Sequence, residues 1–315
     1  MIVDDLIGLN IPSPVSRDVA MTVPAVARAR ALIIGATTQY PLVVLDDTDT
    51  PIASQPTWTT RTDGAVPPAT RTAAIVDDLI FYGASVLEVR RGAAGQVLAL
   101  DNVPRDYWRV HNGVMQFQTE PGKWRDAADS EYVFIEGYAG GLLQYAQATI
   151  RGALAIEKAW QDRVANPLAA IVLHATTDDV TQEEAEAYTK SWAAARNMPG
   201  GAIGFLPQSI NLEEYGSVQT DLYTEGRNAA RTDIANHLNV PLPLLDGSLS
   251  TSSLTYSTSE GNRSRFSTET IPSYITPIEQ ALSGDNIVAR GLRVRFDRSG
   301  DYTPTPYAYG TPTDD

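Results

Sequence analysis

The sequence predicts an α+β protein made of two parts. A mixed module of short strands and helices covers residues 1–138, and a helix, a small insert and a second helix follow it. Two observations carry this. Up to Gly140-Gly141, short alternating stretches separated by Gly, Asn and Pro turns mix with two helical stretches. Beyond those glycines, apolar residues keep i, i+4 steps over two long windows, which flank a strand–helix–strand–strand pattern of about 45 residues.

Pro24 opens the first helix, expected from Pro24 to Thr38, because its missing N–H costs nothing in a first turn. Val26, Leu32, Ile33 and Ala36 recur along it at helical spacing. Pro41 forces an exit into a strand from Leu42 to Leu45, and Asp46 to Asp49 reads as a turn. Residues 50–69, with Pro51, Pro56, Pro67 and Pro68, are expected to form an irregular surface loop. A second helix fits Thr70 to Tyr82, and Gly83 ends it. Ser85 to Arg90 alternates as a strand should, and further short strands are expected at 96–101, 107–111, 113–118 and 131–136.

From Leu142 to Val164 the residues Leu142, Ala146, Ile150 and Leu154 predict one helix of about 23 residues, on the order of 34 Å long. Asn166-Pro167 stops it. In the insert, 169–174 reads as a strand and Thr181-Gln-Glu-Glu184 as a capping box that starts a helix running to about Asn197. Two more strands are expected at 202–206 and 210–212. The second long helix covers Asp221 to Leu238, with Leu222, Gly226, Ala230, Ile234 and Leu238 on one side, and stops at Val240-Pro241. Nine Ser/Thr follow among residues 248–259. A third helical region, roughly 257–282, is expected to be interrupted at Pro272 and Pro277. A strand from Ile287 to Phe296 and an extended arm over 301–315 complete the chain.

Composition bounds the chemistry. The 315 residues carry 24 Lys+Arg against 38 Asp+Glu, for a net charge of −14. Apolar residues make up 43% of the chain, enough to bury a core. The absence of cysteine excludes disulfides, thiolate metal sites and a cysteine nucleophile. The three histidines (His111, His174 and His237) are too scattered for a metal centre. The acidity opposes tight, non-specific DNA binding, which rests on neutralising phosphates with Lys and Arg. Acids near the N-terminus, Asp4 and Asp5, stand where a signal peptide carries positive charge. The longest apolar patch, Ala31 to Ala36, falls far short of a span of ~20 residues, so a soluble intracellular product with no membrane partner is expected.

Enzymatic motifs are missing. None of the three lysines (Lys123, Lys158 and Lys190) completes a P-loop, and there is no Gly-x-Ser-x-Gly elbow. No cofactor, metal or catalytic residue is therefore predicted. A metal nuclease would need clustered carboxylates, and two stretches qualify by composition: Asp77-Asp78, and Asp178-Asp179 with Glu183, Glu184 and Glu186. The second lies at a helix start, where the dipole favours negative charge, so capping and a solvated face explain it. Arg227 and Arg231, one turn apart, either pair with Asp221, Glu225 or Asp233 or face DNA; His237 is read as a packing or channel residue. Two helices that carry a small module at their tip bury it poorly in a monomer, which points to copies packed side by side in a ring.

Several stretches occur together in one order: Val23-Pro-Ala-Val-Ala with Tyr40-Pro-Leu42; Phe81-Tyr-Gly-Ala-Ser-Val-Leu-Glu; Ile234-Ala-Asn-His-Leu-Asn-Val-Pro-Leu-Pro-Leu-Leu245; and Leu254-Thr-Tyr-Ser-Thr-Ser-Glu260. Phe266, Thr270-Ile-Pro272 and Ile278-Glu-Gln-Ala-Leu282 continue the series. In this order and spacing, over about residues 20–300, the chain resembles the siphophage-type portal proteins of tailed bacteriophages. The resemblance implies a dodecameric ring at one capsid vertex, threaded by double-stranded DNA during packaging and ejection.

It also implies a portal-like division of the chain. Residues 1–140 form the N-terminal part of a mixed α/β wing, 141–167 the first stem helix, 168–219 a small α/β clip and 220–240 the second stem helix. Residues 241–256 form the tunnel-loop region, 257–300 the wing and crown-base helix and strand, and 301–315 a C-terminal arm, with the crown absent or reduced. On this basis Ser248, Ser250, Thr251, Ser252, Ser253 and Thr255 are candidates for the narrowest part of the channel. Asp221, Glu225, Arg227, Arg231 and His237 are stem candidates, and Asp178, Asp179, Glu183, Glu184 and Glu186 are clip docking candidates.

The implied partners are further copies of the chain, weakly and non-specifically held DNA, the large terminase subunit, a head–tail adaptor and the major capsid protein. Another structural virion component, an adaptor or tail subunit, is the alternative, with a nuclease or hydrolase behind it. In this light the acidity opposes a grip on DNA rather than a DNA partner, because a conduit that lets the duplex slide should not be basic.

Overall fold

The computed structural model describes residues 13–61, 66–165, 170–175, 180–196, 210–215, 223–245 and 256–302. Helix α1 (Arg17–Met21) is capped by Ser16, whose Oγ accepts from the Val19 N–H at 3.2 Å. Helix α2 (Pro24–Thr37) begins on Pro24 and buries Val26, Ala29, Ile33 and Thr37 as one stripe. Strand β1 (Leu42–Leu45) follows. The stretch expected to be an irregular surface loop contains a one-turn helix, α3 (Thr57–Thr60), and its Trp58 is buried. Gln55 ties this stretch down: its Oε1 accepts from the Val44 N–H at 2.8 Å and its Nε2 donates to the Val44 carbonyl at 2.9 Å.

Helix α4 (Pro68–Tyr82) starts on a proline and ends at Gly83, whose φ of +76° suits the left-handed cap. A Cβ on Gly83 would lie 2.5 Å from the Gly141 nitrogen, so the helix end and Gly140-Gly141 meet only because glycine is there. Strands β2 (Ala84–Arg91) and β3 (Val97–Val103) pair antiparallel. Strands β4 (Trp108–His111), β5 (Val114–Glu120) and β6 (Lys123–Asp126) make a second three-stranded antiparallel sheet. Strand β7 (Tyr132–Glu136) returns to the free edge of β2 and completes the order β3-β2-β7. Sequence pattern missed β6, because Lys-Trp-Arg-Asp has no apolar alternation and is defined only by its pairing with β5. Val86, Trp108, Met115, Phe117 and Ala127 form a small core beside the main one.

The single helix expected from Leu142 to Val164 is two: α5 (Leu142–Tyr145) and α6 (Gln147–Ala165). The break falls at Ala146, φ −106° and ψ 15°. There the Gln147 amide supplies what the helix loses, donating to the Leu143 carbonyl at 2.8 Å and accepting from Arg151 Nη2 at 2.8 Å. Leu142, Ala146 and Ile150 are buried, as their spacing predicts.

The chain divides into two compact units, residues 155–225 and everything else. In the smaller unit, β8 (Ala170–Ala175) pairs antiparallel with β9 (Ile210–Tyr215), Ala170 opposite Tyr215. Helix α7 (Gln182–Arg196) lies between them in sequence, and its Ala185 and Tyr188 line a small cavity with Leu173 and Ile210. The strand expected at 202–206 lies outside the described residues.

Helices α8 (Thr224–His237), α9 (Leu242–Leu245) and α10 (Tyr256–Arg265) lead into a π-helical turn, Phe266–Thr270, and then α11 (Ile271–Leu282). Pro272 and Pro277 do not interrupt this region as expected. A proline ring crowds the carbonyl four residues back. The turn before Pro272 is widened, with the Ile271 N–H on the Phe266 carbonyl, so the chain passes without a break. Pro277 is buried inside α11. Strand β10 (Arg293–Phe296) is shorter than the stretch from Ile287 that apolar content suggested; Ile287 and Val288 are buried, but in a turn. β10 pairs antiparallel with β1, Leu42 opposite Phe296, so the larger unit is closed by residues from its two ends. Among the described residues no helix is long and apolar enough to cross a membrane.

Candidate functional site

Helix α8 carries all four described stem candidates. It is 14 residues long, roughly 21 Å. Ile234 and Ala235 are buried, with Leu238 just beyond, and fix its inner face. Glu225 is exposed in the first turn, where negative charge suits the dipole, and Arg227 and Arg231 are half-buried one turn apart. His237 is exposed in the last turn, its Nε2 3.3 Å from Thr149 Oγ1 of α6. It lines a cleft of ≈ 140 Å³ with Tyr138, Tyr145, Asn239 and Tyr274.

The end of α8 is held from outside. Asn239 adopts φ +52°, the left-handed conformation that asparagine tolerates. Its carbonyl accepts from Thr270 Oγ1, and its Nδ2 donates to the Glu269 carbonyl at 3.1 Å. Tyr274 OH donates to the Leu238 carbonyl at 3.3 Å. Thus the π-helical turn and the start of α11 clamp the last turn of α8. Arg265 and Glu269, paired at 3.2 Å, line a polar groove of ≈ 280 Å³ with Asn236, Asn239 and Pro241. Sequence reasoning missed this clamp. Asn239 before Val240-Pro241 was a usable cap signal, but nothing local marks Thr270 and Tyr274 as its partners.

The hydroxyl-rich candidates Ser248, Ser250, Thr251, Ser252, Ser253 and Thr255 lie outside the described residues, as do Asp178, Asp179 and Asp221. The described clip acids are partly committed. Glu184 Oε2 accepts from the Thr181 N–H at 3.0 Å and from its hydroxyl at 2.9 Å, and these bonds hold the carboxyl below its ordinary range. The capping box is therefore formed as its spacing predicts. Glu186 accepts from Gln182 Nε2 at 3.2 Å, and both Glu183 and Glu186 are exposed.

The Asp77-Asp78 pair is split between two tasks. Asp77 lies between Arg17 and Arg30, with Arg17 Nε at 2.8 Å from Oδ2 and Arg30 Nε on Oδ1. Asp78 is buried and accepts from Ser85 Oγ at 2.8 Å and Asn102 Nδ2 at 2.9 Å. Burial pushes its carboxyl up to about 6, against those two bonds, which lower it. The two carboxylates thus serve separate internal contacts, and among the described residues no group of three metal-capable side chains exists.

Along the chain an α+β unit is joined by a helix–insert–helix passage, a hydroxyl-rich stretch and a proline-bearing helix. The family profile described as "Phage portal protein" matches residues 24–303. This chain belongs to the phage portal protein family. Its function is that of a portal at the capsid vertex.

Solved structures show the same fold. A crystal structure of an HK97-family phage portal protein from Corynebacterium diphtheriae matches with a TM-score of 0.73 at 24% identity, over 93% of this portal chain and 99% of that one. The neck of a native gene transfer agent particle, with C12 symmetry, matches with a TM-score of 0.63 at 18% identity, over 96% and 89% of the chains. The neck of the empty particle, with C6 symmetry, gives 0.62 at 21% identity, over 96% and 90%. No curated protein matches this portal chain in sequence.

Proposed function

We propose that this portal protein is a passive conduit: twelve copies close into a ring through which double-stranded DNA passes during packaging and ejection. The match of residues 24–303 to the portal family carries the reading. The twelvefold symmetry of the gene transfer agent neck supports the subunit number. In this reading residues 141–167 and 220–240 are the paired stem, 168–219 the clip and 241–256 the tunnel loop. The large terminase subunit and then a head–tail adaptor dock on the clip, and the major capsid protein surrounds the wing. The ring assembles in the host cytoplasm and ends in the virion.

Chemistry belongs to the partners rather than to this chain. Asp77 and Asp78, the described acidic pair a nuclease would use, are taken up by Arg17, Arg30, Ser85 and Asn102. A strong net charge of −14 per copy favours sliding over gripping, since exposed acids repel phosphates. Native mass spectrometry with negative-stain imaging tests the reading: rings with a hole wide enough for duplex DNA are expected. Monomers at every concentration would overturn it. Replacing 168–219 by a short linker should leave the larger unit folded and abolish terminase binding, and retained binding would overturn the clip assignment.

A further inference from the structure

Arg71, in the first turns of α4, is buried with 4% of its surface exposed. Its Nη1 donates to the Trp58 carbonyl at 3.0 Å, and its guanidinium lies 5.7 Å from the Trp58 ring centroid. Nε and Nη2 are both buried and, among the described residues, have no hydrogen-bond partner. These two atoms share one edge of the planar guanidinium, and their N–H bonds run parallel, the fork that takes a carboxylate with two bonds at once. Leaving a buried donor unpaired forfeits its hydration without return. An edge with two such donors is stabilised by an acceptor that spans both.

A cavity opens at this point. It measures ≈ 40 Å³, and its lining includes Trp58, Arg61, Arg71, Arg90, Leu100 and Asp101. At ~10–15 Å³ for each water-sized occupant, it has room for about three heavy atoms. That is the size of a carboxylate, and the pocket opens to solvent, so the carboxylate can belong to a larger molecule. Three of those side chains are guanidinium groups and one is a carboxylate, Asp101, which already accepts from Arg90 Nε at 2.6 Å. Trp58 and Leu100 supply apolar walls, against which a charge-assisted bond is stronger than in water. Burial lowers Arg71 to about 10, so it keeps its charge at neutral pH.

We propose that the Nε–Nη2 edge of Arg71, flanked by Arg61 and Arg90, is a carboxylate-accepting site. A carboxylate from outside the chain has two sources: a small free carboxylate, or an Asp or Glu side chain of a second copy, which would make the site a lock between subunits. The second source rests on the ring reading above, and the first does not.

The full chain is tested with acetate as the probe. In thermal melts of the dilute, monomeric wild type, acetate raises Tm by about 3 °C when tenfold above its Kd, and chloride at equal ionic strength does not. This arm needs no variant. Arg71→Met, which removes both donors, abolishes the response, and Arg71→Lys, which keeps a charge without the fork, weakens it. If a neighbour supplies the carboxylate, folded Arg71→Met forms at least tenfold fewer rings by native mass spectrometry, and acetate dissociates wild-type rings. Rings indifferent to acetate and to the variants, with monomers that respond, assign the source to solution. A wild type that responds to acetate but never assembles refutes the ring and leaves the site standing. No acetate response in wild-type monomers, together with normal rings from both variants, overturns the site.

Discussion

At the residue scale, the most informative side chain is Asp78. Its carboxylate is buried under the β2–β3 pair with Ser85 and Asn102, and burial outweighs both hydrogen bonds, raising it from 3.8 to about 6. A raised carboxyl binds its proton more tightly in the folded chain than in the unfolded one. Its contribution to stability is therefore greatest below the unfolded value and is lost as pH rises from about 4 through 6, by roughly 3 kcal/mol in all. Asp78→Asn keeps an oxygen for both donors and does not titrate. The variant should gain stability relative to wild type between pH 4 and 7, by about 1–3 kcal/mol in urea midpoints, and a pH-independent difference would contradict the account. Asp77, one residue away, looked equivalent in the sequence. Only the packing of α1 and α2 against α4 gives it Arg17 and Arg30 instead of a hydroxyl and an amide.

Elements were legible wherever one residue controls a backbone group directly. Pro24, Gly83 and Thr181 mark helix ends, and each acts through its own φ, N–H or hydroxyl. The Thr181–Glu184 box is the sharpest case, with every partner within three residues. Thr181→Ala should cost about 1 kcal/mol, seen as roughly fivefold faster amide exchange in the first turn of α7. Unchanged exchange would show that the box does not hold that turn. Five elements were misread: the helix α3 inside the expected loop, the break at Ala146, the unbroken passage through Pro272 and Pro277, the late start of β10, and β6. For the break, the proline passage and β6 the deciding contact leaves no mark in apolar periodicity: the Gln147 amide, a widened π turn, and the edge of β5. The candidate site divides the same way. Glu184 was readable, whereas the clamp of Thr270 and Tyr274 on the end of α8 joins residues more than 30 positions apart.

On the scale of the whole molecule, the larger unit is discontinuous in sequence and is closed by β1 and β10. Ser283 Oγ accepts from the Val294 N–H at 2.9 Å, and Glu279 Oε1 from the Phe296 N–H at 2.8 Å, so β10 is also tied to α11. Truncation after Arg290 removes these bonds and bares the edge of β1. The truncated chain should lose its sharp, cooperative thermal transition, because buried Leu42, Val44, Val294 and Phe296 belong to one core. A truncated chain that melts as sharply as the full one would place the closure elsewhere. A unit closed in this way can carry an insertion between its halves without altering its own core, as the arrangement of residues 155–225 requires.

By itself the sequence determined the α+β class, the helix ends marked by Pro24, Gly83 and Thr181, the helix–insert–helix order and the portal resemblance. All of these rest on local periodicity, on backbone-controlling residues and on the order of short stretches along the chain. Tertiary structure alone decided which acids are committed to internal bonds, how the end of α8 is clamped, and that one edge of Arg71 is buried without an acceptor among the described residues. Burial and pairing depend on residues far apart in sequence, and desolvation, which sets their energies, exists only once the chain has folded around them.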